Sequence, residues 1–149
     1  MLLDIHWYQR LLKLITIIMI SLEVVSEEKK WSKKIKKKEF FFFSICKYFP
    51  KKYKFVNKRI FLTLLLSNNK GIKKLNKQFR NKNKPTDILS FPSQEKIKLK
   101  NNLYLGDIII SYDFMNKPKN QNIILFKDKV IKTFIHGFLH LLSFDHIRL

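Results

Sequence analysis

The chain has 149 residues, 46% of them hydrophobic, and carries 31 Lys and Arg against 11 Asp and Glu, for a formal net charge of +20. Its length suits one domain (1–149) with a buried core, and its apolar content excludes an intrinsically disordered chain. The charge suits a polyanionic partner, RNA or DNA before an anionic membrane, although the abundance of Lys, Asn, Ile and Phe also follows from an AT-rich coding sequence.

Residues 1–13 read as an extension of no assigned structure. Leu11–Val25 is apolar but interrupted by Lys13 and Glu23, and the uncharged part between them is too short to span a bilayer. No small-residue cleavage pattern follows, so neither a signal peptide nor a membrane partner is expected. Ile15, Ile17, Met19 and Ile20 predict a buried strand over 14–22. A helix is predicted over 26–49, opened by Glu27 and Glu28, which favour a helix N-terminus, and ended by Pro50. Trp31, Ile35 and Phe42 can share its buried face. Lys29 to Lys38 is either a solvated face or a phosphate-binding one. Cys46, the single cysteine, lies in an apolar run and reads as a packing residue, and the lack of a second cysteine suits a cytoplasmic location.

Arg59–Leu66 predicts a second strand, Ser67–Gly71 a turn and Ile72–Phe79 a short helix. A polar loop over 80–85 leads to a third strand over 86–92, stopped by Pro92. A lysine-rich loop precedes a fourth strand over 103–111, with Gly106 at a bulge or a close approach. No element is assigned over 112–126. Lys127–Leu142 gives the best helix, with Val130, Phe134, Phe138, Leu139 and Leu142 on one side.

The stretch "HGFLHLLSFDH" carries His136, His140 and His146. Residues one helical turn apart project from one face, so His136 and His140 can meet one cation. His146 can join them only if the chain turns after Leu142. Three neutral imidazoles with an open position are the ligand set of a catalytic zinc, which lowers the pKa of bound water towards ~7 and polarises a phosphoryl or carbonyl oxygen. A structural site with a fourth ligand elsewhere is the alternative. The same spacing occurs in metzincin proteases, where a glutamate base follows the first histidine; Gly137 supplies none here.

"HGFLHLLSFDH" resembles the H-G-x-L-H-L-x-G-[YF]-D-H signature of the bacterial YbeY endoribonucleases. "LNKQFRNKNKPTDILSFP" (75–92) and "LGDIIIS" (105–111) resemble two further segments of that family, in the same order and at similar separations. The resemblance covers about residues 55 to 146. It implies an α+β fold, a small mixed β-sheet flanked by helices with a zincin-like metal-binding helix at the C-terminal end. It also implies a zinc-dependent, single-strand-specific endoribonuclease acting in rRNA maturation, chiefly at the 3′ end of small-subunit rRNA, and in ribosome quality control. The implied partners are RNA, the small ribosomal subunit and an Era-type GTPase. Carried over by position, His136, His140 and His146 would bind one Zn²⁺, and Arg80 would be the catalytic arginine, its guanidinium suited to a phosphodiester oxygen.

Asp145 either orients a ligand imidazole or caps the turn. Thr86, Asp87 and Ser90 are expected to shape the loop and strand, and Asp107 is either structural or cleft-lining. Ser143 stands where the family carries a glycine; a left-handed conformation there would cost about 1–2 kcal/mol. The sequence stops soon after His146, where the family continues into a helix, so the third ligand is expected to be held less firmly. Two other functions compete: a non-catalytic RNA-binding ribosome-assembly factor with a structural or lost metal site, and a metalloprotease.

Overall fold

The computed structural model describes residues 20–48, 59–93 and 102–142. In chain order the elements are β1 (Ile20–Ser26), α1 (Trp31–Lys34), α2 (Lys38–Lys47), β2 (Arg59–Ser67), α3 (Asn69–Arg80), β3 (Ile88–Pro92), β4 (Asn102–Ser111), α4 (Tyr112–Met115) and α5 (Ile123–Leu141). The four strands form one mixed sheet in the order β1-β2-β4-β3. β1, β2 and β4 are parallel, and β3 runs antiparallel to β4 at the edge. This is the expected α+β architecture with a small mixed sheet.

The period-two alternation of each strand sorts the two faces. Ile20, Leu22 and Val24 of β1, the even-numbered apolar residues from Ile60 to Leu66 of β2, and Ile108 and Ile110 of β4 turn to one side. There they meet Trp31, Phe42, Phe126, Phe134 and Phe138, all essentially without solvent exposure. The Trp31 indole N–H is satisfied by the carbonyl of Ser67 at 2.9 Å, as a buried indole requires. On the opposite face α3 lays Ile72 over Leu89 and Ile109, with Leu65, Leu75 and Phe91 around them.

Several boundaries differ from the sequence reading. The predicted first strand lies partly outside the described residues; the described part continues to Ser26, because Glu23 and Val25 face outward and do not interrupt the buried alternation. The helix predicted over 26–49 is two helices. Ile35 between them is extended and buried, amid lysines whose mutual repulsion weakens a continuous helix. Trp31, Ile35 and Phe42 nonetheless all enter the core. Glu27 and Glu28 do not open a long helix: Glu27 accepts from Ser67 Oγ, and Glu28 accepts from the Asn68 amide at 2.9 Å.

"SNNKG" is a helix start rather than a free turn. Asn68 is the N-cap of α3, its side chain accepting from Gly71 N–H at 2.8 Å. Asn122 does the same for α5, accepting from Leu125 N–H at 2.9 Å, so that helix begins before Lys127. Within α5, Leu141 is buried while Leu139 and Leu142 are half-buried. Cys46 is buried, as expected of a packing residue, and burial pushes its thiol pKa up to about 12. Among the described residues no helix is long and apolar enough to cross a membrane.

Pro92 ends β3 without breaking its pairing. Ser93 N–H donates to the Leu105 carbonyl and Ser111 N–H donates to the Asp87 carbonyl, so the alternating ladder turns the main-chain groups of Ser90 and Pro92 away from β4. The missing N–H of Pro92 therefore faces the open edge, where no ladder bond is lost. Gly106 lies at the bulge where β4 shifts register against β2. Its φ is +133°, and an added Cβ would stand 2.1 Å from the carbonyl oxygen of Phe91. Both the backbone conformation and the close approach of β3 require glycine there.

Candidate functional site

His136 and His140 lie on the last turns of α5, one turn apart. Their Nε2 atoms are 2.7 Å apart and the rings are inclined at 74°. His136 is exposed and His140 half-buried. Two neutral imidazoles at this distance need one ring to donate its N–H to the other. Two nitrogens sharing a tetrahedral zinc at ~2.0–2.1 Å stand about 3.3 Å apart, so a small side-chain adjustment suffices to take up a cation. The pair therefore fits the first two ligands of such a site. His146, with Ser143 and Asp145, lies outside the described residues. Among the described residues no group of three His, Cys, Asp or Glu side chains suited to a metal is assembled.

Gly137 explains how the histidine turn sits on the sheet. It is buried, and a Cβ built on it would stand 2.5 Å from Ile88 Cδ1, 3.1 Å from Ile108 Cγ2 and 3.2 Å from Ser90 Oγ. The position after His136 thus faces the interior, against β3 and β4. A glutamate base has neither room there nor access to a substrate held by the histidines.

Arg80 ends α3, on the other side of edge strand β3. Its guanidinium donates to the outward-facing carbonyl of Ser90 at 3.0 Å and lies 5.7 Å from the centre of the Phe91 ring. The hydroxyl of Ser90 donates in turn to the carbonyl of Gly137 at 3.2 Å. Ser90 thereby bonds to Arg80 through its main chain and to the histidine-bearing turn through its side chain. Asn81, the next residue, ends α3 in a left-handed conformation (φ 56°), and buried Asn76 holds the following loop by donating to the carbonyl of Lys84 at 2.8 Å. Lys77, Lys82 and Lys84 are exposed around this end of the helix, and Lys73 and Lys74 are exposed further back along it.

The sequence reading placed Thr86 and Asp87 as shape-holding residues, and their contacts are of that kind: Asp87 accepts from Thr86 Oγ1 at 3.1 Å and from Ile88 N–H at 2.9 Å. Asp107 is half-buried and lines a cleft beside Arg80. It accepts from the Tyr104 phenol, whose pKa is raised by burial and then by that carboxylate, so the phenol remains the donor. The linking role of Ser90 and the aromatic pair of Phe79 and Phe91, with ring centres 5.3 Å apart, escaped the sequence reading. The available signal was the spacing of Ile72, Leu75 and Phe79 along one helical face.

The family model described as Endoribonuclease YbeY matches residues 23–149. The chain is similar to the Endoribonuclease YbeY of Pelagibacter ubique (strain HTCC1062), at 68% identity over 131 residues that cover 88% of this chain and 86% of that protein. It is also similar to the Endoribonuclease YbeY of Persephonella marina (strain DSM 14350 / EX-H1), at 39% identity over 87 residues covering 58% of this chain and 57% of the relative. Among solved structures, the solution structure of a Thermotoga maritima protein matches with a TM-score of 0.49 and 26% sequence identity, covering 80% of this chain and 71% of that one.

Proposed function

The chain belongs to the Endoribonuclease YbeY family, and from that premise we propose that it is a zinc-dependent endoribonuclease cutting single-stranded RNA. The observation that carries the reading is the pairing of His136 and His140 across the β3 edge from Arg80, linked through Ser90. In this reading His136, His140 and His146 hold one zinc ion. When bound, that ion supplies a Lewis acid for a phosphate oxygen and a water of lowered pKa. Arg80 binds the phosphodiester and stabilises the charge that develops on it, with its position set by Ser90 and the Phe91 ring. The exposed lysines around α3 draw the polyanion to this edge.

The substrate in this reading is rRNA, cut during maturation of the small-subunit 3′ end and in ribosome quality control, in the cytoplasm. The small ribosomal subunit and an Era-type GTPase are its proposed partners. The protease alternative lacks support at the one position it needs, because residue 137 packs against the sheet.

The test is cleavage of a single-stranded RNA by the zinc-loaded full chain. His136→Ala is expected to remove activity, and Arg80→Ala to lower kcat/KM by about 100-fold, as loss of a transition-state charge partner does. Cleavage unchanged by both substitutions overturns the proposal.

A further inference from the structure

α3 covers the β3–β4 half of its sheet face. Beside it lies a cleft of ≈ 800 Å³, lined among others by Thr63, Leu75, Phe79, Arg80, Phe91 and Asp107. Phe79 is unusual in it. It continues the helical stripe of Ile72 and Leu75, whose members pack on the sheet, yet it is 61% exposed. Its one described aromatic neighbour is the half-buried Phe91, at 5.3 Å and an interplanar angle of 59°. An exposed ring at the end of an apolar stripe, next in sequence to the arginine, offers a π-face within reach of whatever that arginine holds.

We infer that Phe79 and Phe91 form a nucleobase subsite, in which Phe79 stacks the base of the nucleotide whose phosphate is bound by Arg80. This rests on the RNA-cleaving reading above. Aromatic stacking holds single-stranded bases with little regard to sequence, because every base has a π-face. The charges set the direction: the Arg80 guanidinium attracts phosphate, whereas the Asp107 carboxylate repels it and accepts N–H groups from a base edge. The base therefore enters the cleft and the backbone stays at the β3 edge, on the side of the histidines. Arg80 uses one N–H on Ser90 and keeps others for the phosphate. Phe79 is thus a substrate-positioning residue, acting on where the RNA lies rather than on the bond being broken.

The experiment uses the full chain and a ten-nucleotide single-stranded RNA, intact or with one abasic position moved along it. Binding is read by anisotropy in the presence of a chelator, and cleavage is read separately with zinc. For Phe79→Ala, binding is expected to weaken about 5- to 160-fold, the range of one lost stacked base, and KM to rise more than kcat falls. Phe79→Tyr restores both. One abasic position weakens binding to the unaltered chain by a similar factor and leaves binding to Phe79→Ala unchanged. Native binding by Phe79→Ala, no rescue by Phe79→Tyr, or abasic losses of equal size in both proteins each overturn the inference. Absence of cleavage by the unaltered chain defeats the endoribonuclease reading instead, while the binding measurements still decide the subsite.

Discussion

The hydroxyl of Ser90 donates to the main-chain carbonyl of Gly137 at 3.2 Å, fastening the edge strand to the helical turn that carries both described histidines. Because the carbonyl of the same serine accepts from Arg80, the relative placement of Arg80 and the histidines depends on one strand residue. Ser90→Ala removes only the side-chain half of this link. The expected loss is about 1 kcal/mol, the net worth of one buried hydrogen bond, or a fall in Tm of about 2–4 °C. Thermal unfolding checks it, with a Tm within 1 °C of native counting against the link.

Gly137 is expected to resist enlargement. Alanine improves helix propensity by about 0.5–1 kcal/mol, but its methyl enters the contact with Ile88, Ile108 and Ser90, and overpacking typically costs 1–3 kcal/mol. A net destabilisation of about 1–2 kcal/mol in urea unfolding is the predicted outcome. Gly137→Glu is expected to destabilise further and to confer no peptide hydrolysis. A stable, proteolytically active Gly137→Glu protein would show that the helix can present this position to a substrate.

Gly106 carries the larger backbone constraint. With φ at +133° and the Phe91 carbonyl where a Cβ would stand, Gly106→Ala is expected to cost at least the ~1–3 kcal/mol of a strained backbone conformation. Denaturant midpoints measure this directly. A change below about 0.5 kcal/mol would mean that β3 does not approach β4 this closely.

Cys46 gives a pH prediction. Its folded pKa of about 12 lies above the ordinary thiol value of 9.0, so between those values the unfolded chain has lost a proton that the folded chain keeps. The stabilisation is complete below pH 9 and is lost as pH rises towards 12, with a limiting slope of about 1.4 kcal/mol per pH unit for this one group. Cys46→Ala is expected to flatten the fall in stability over that window. At pH 8 a thiol reagent is expected to label the chain at the rate of unfolding; immediate labelling of the folded protein would place the thiol at the surface.

Much of the sheet was legible as apolar runs: Arg59–Leu66 predicts β2, but the face it buries, through Ile60, Leu62, Leu64 and Leu66, emerges only in the structure, because Phe61 and Leu65 are apolar as well. The errors came where one residue type serves two purposes. Asn68 and Asn122 are turn formers in isolation and become helix N-caps once the following turn packs. Ile123, Ile124 and Leu125 are exposed in the first turn of α5, so no amphipathic period announces that helix early. In the site, spacing alone brings His136 and His140 together, since one helix holds both. The bond from Arg80 to Ser90 joins residues on two elements, and the clash that demands Gly137 needs a third, so neither is visible in local sequence.

Zinc-dependent RNA cleavage at the histidine pair is tested most directly by one titration. The full chain is stripped with a chelator, zinc is returned in measured steps, and single-turnover cleavage of a single-stranded RNA is followed at each. The predicted rate is near zero without zinc and rises to a plateau at one ion per chain. Cleavage that persists at full strength in the stripped protein, or none at any zinc level, contradicts the account.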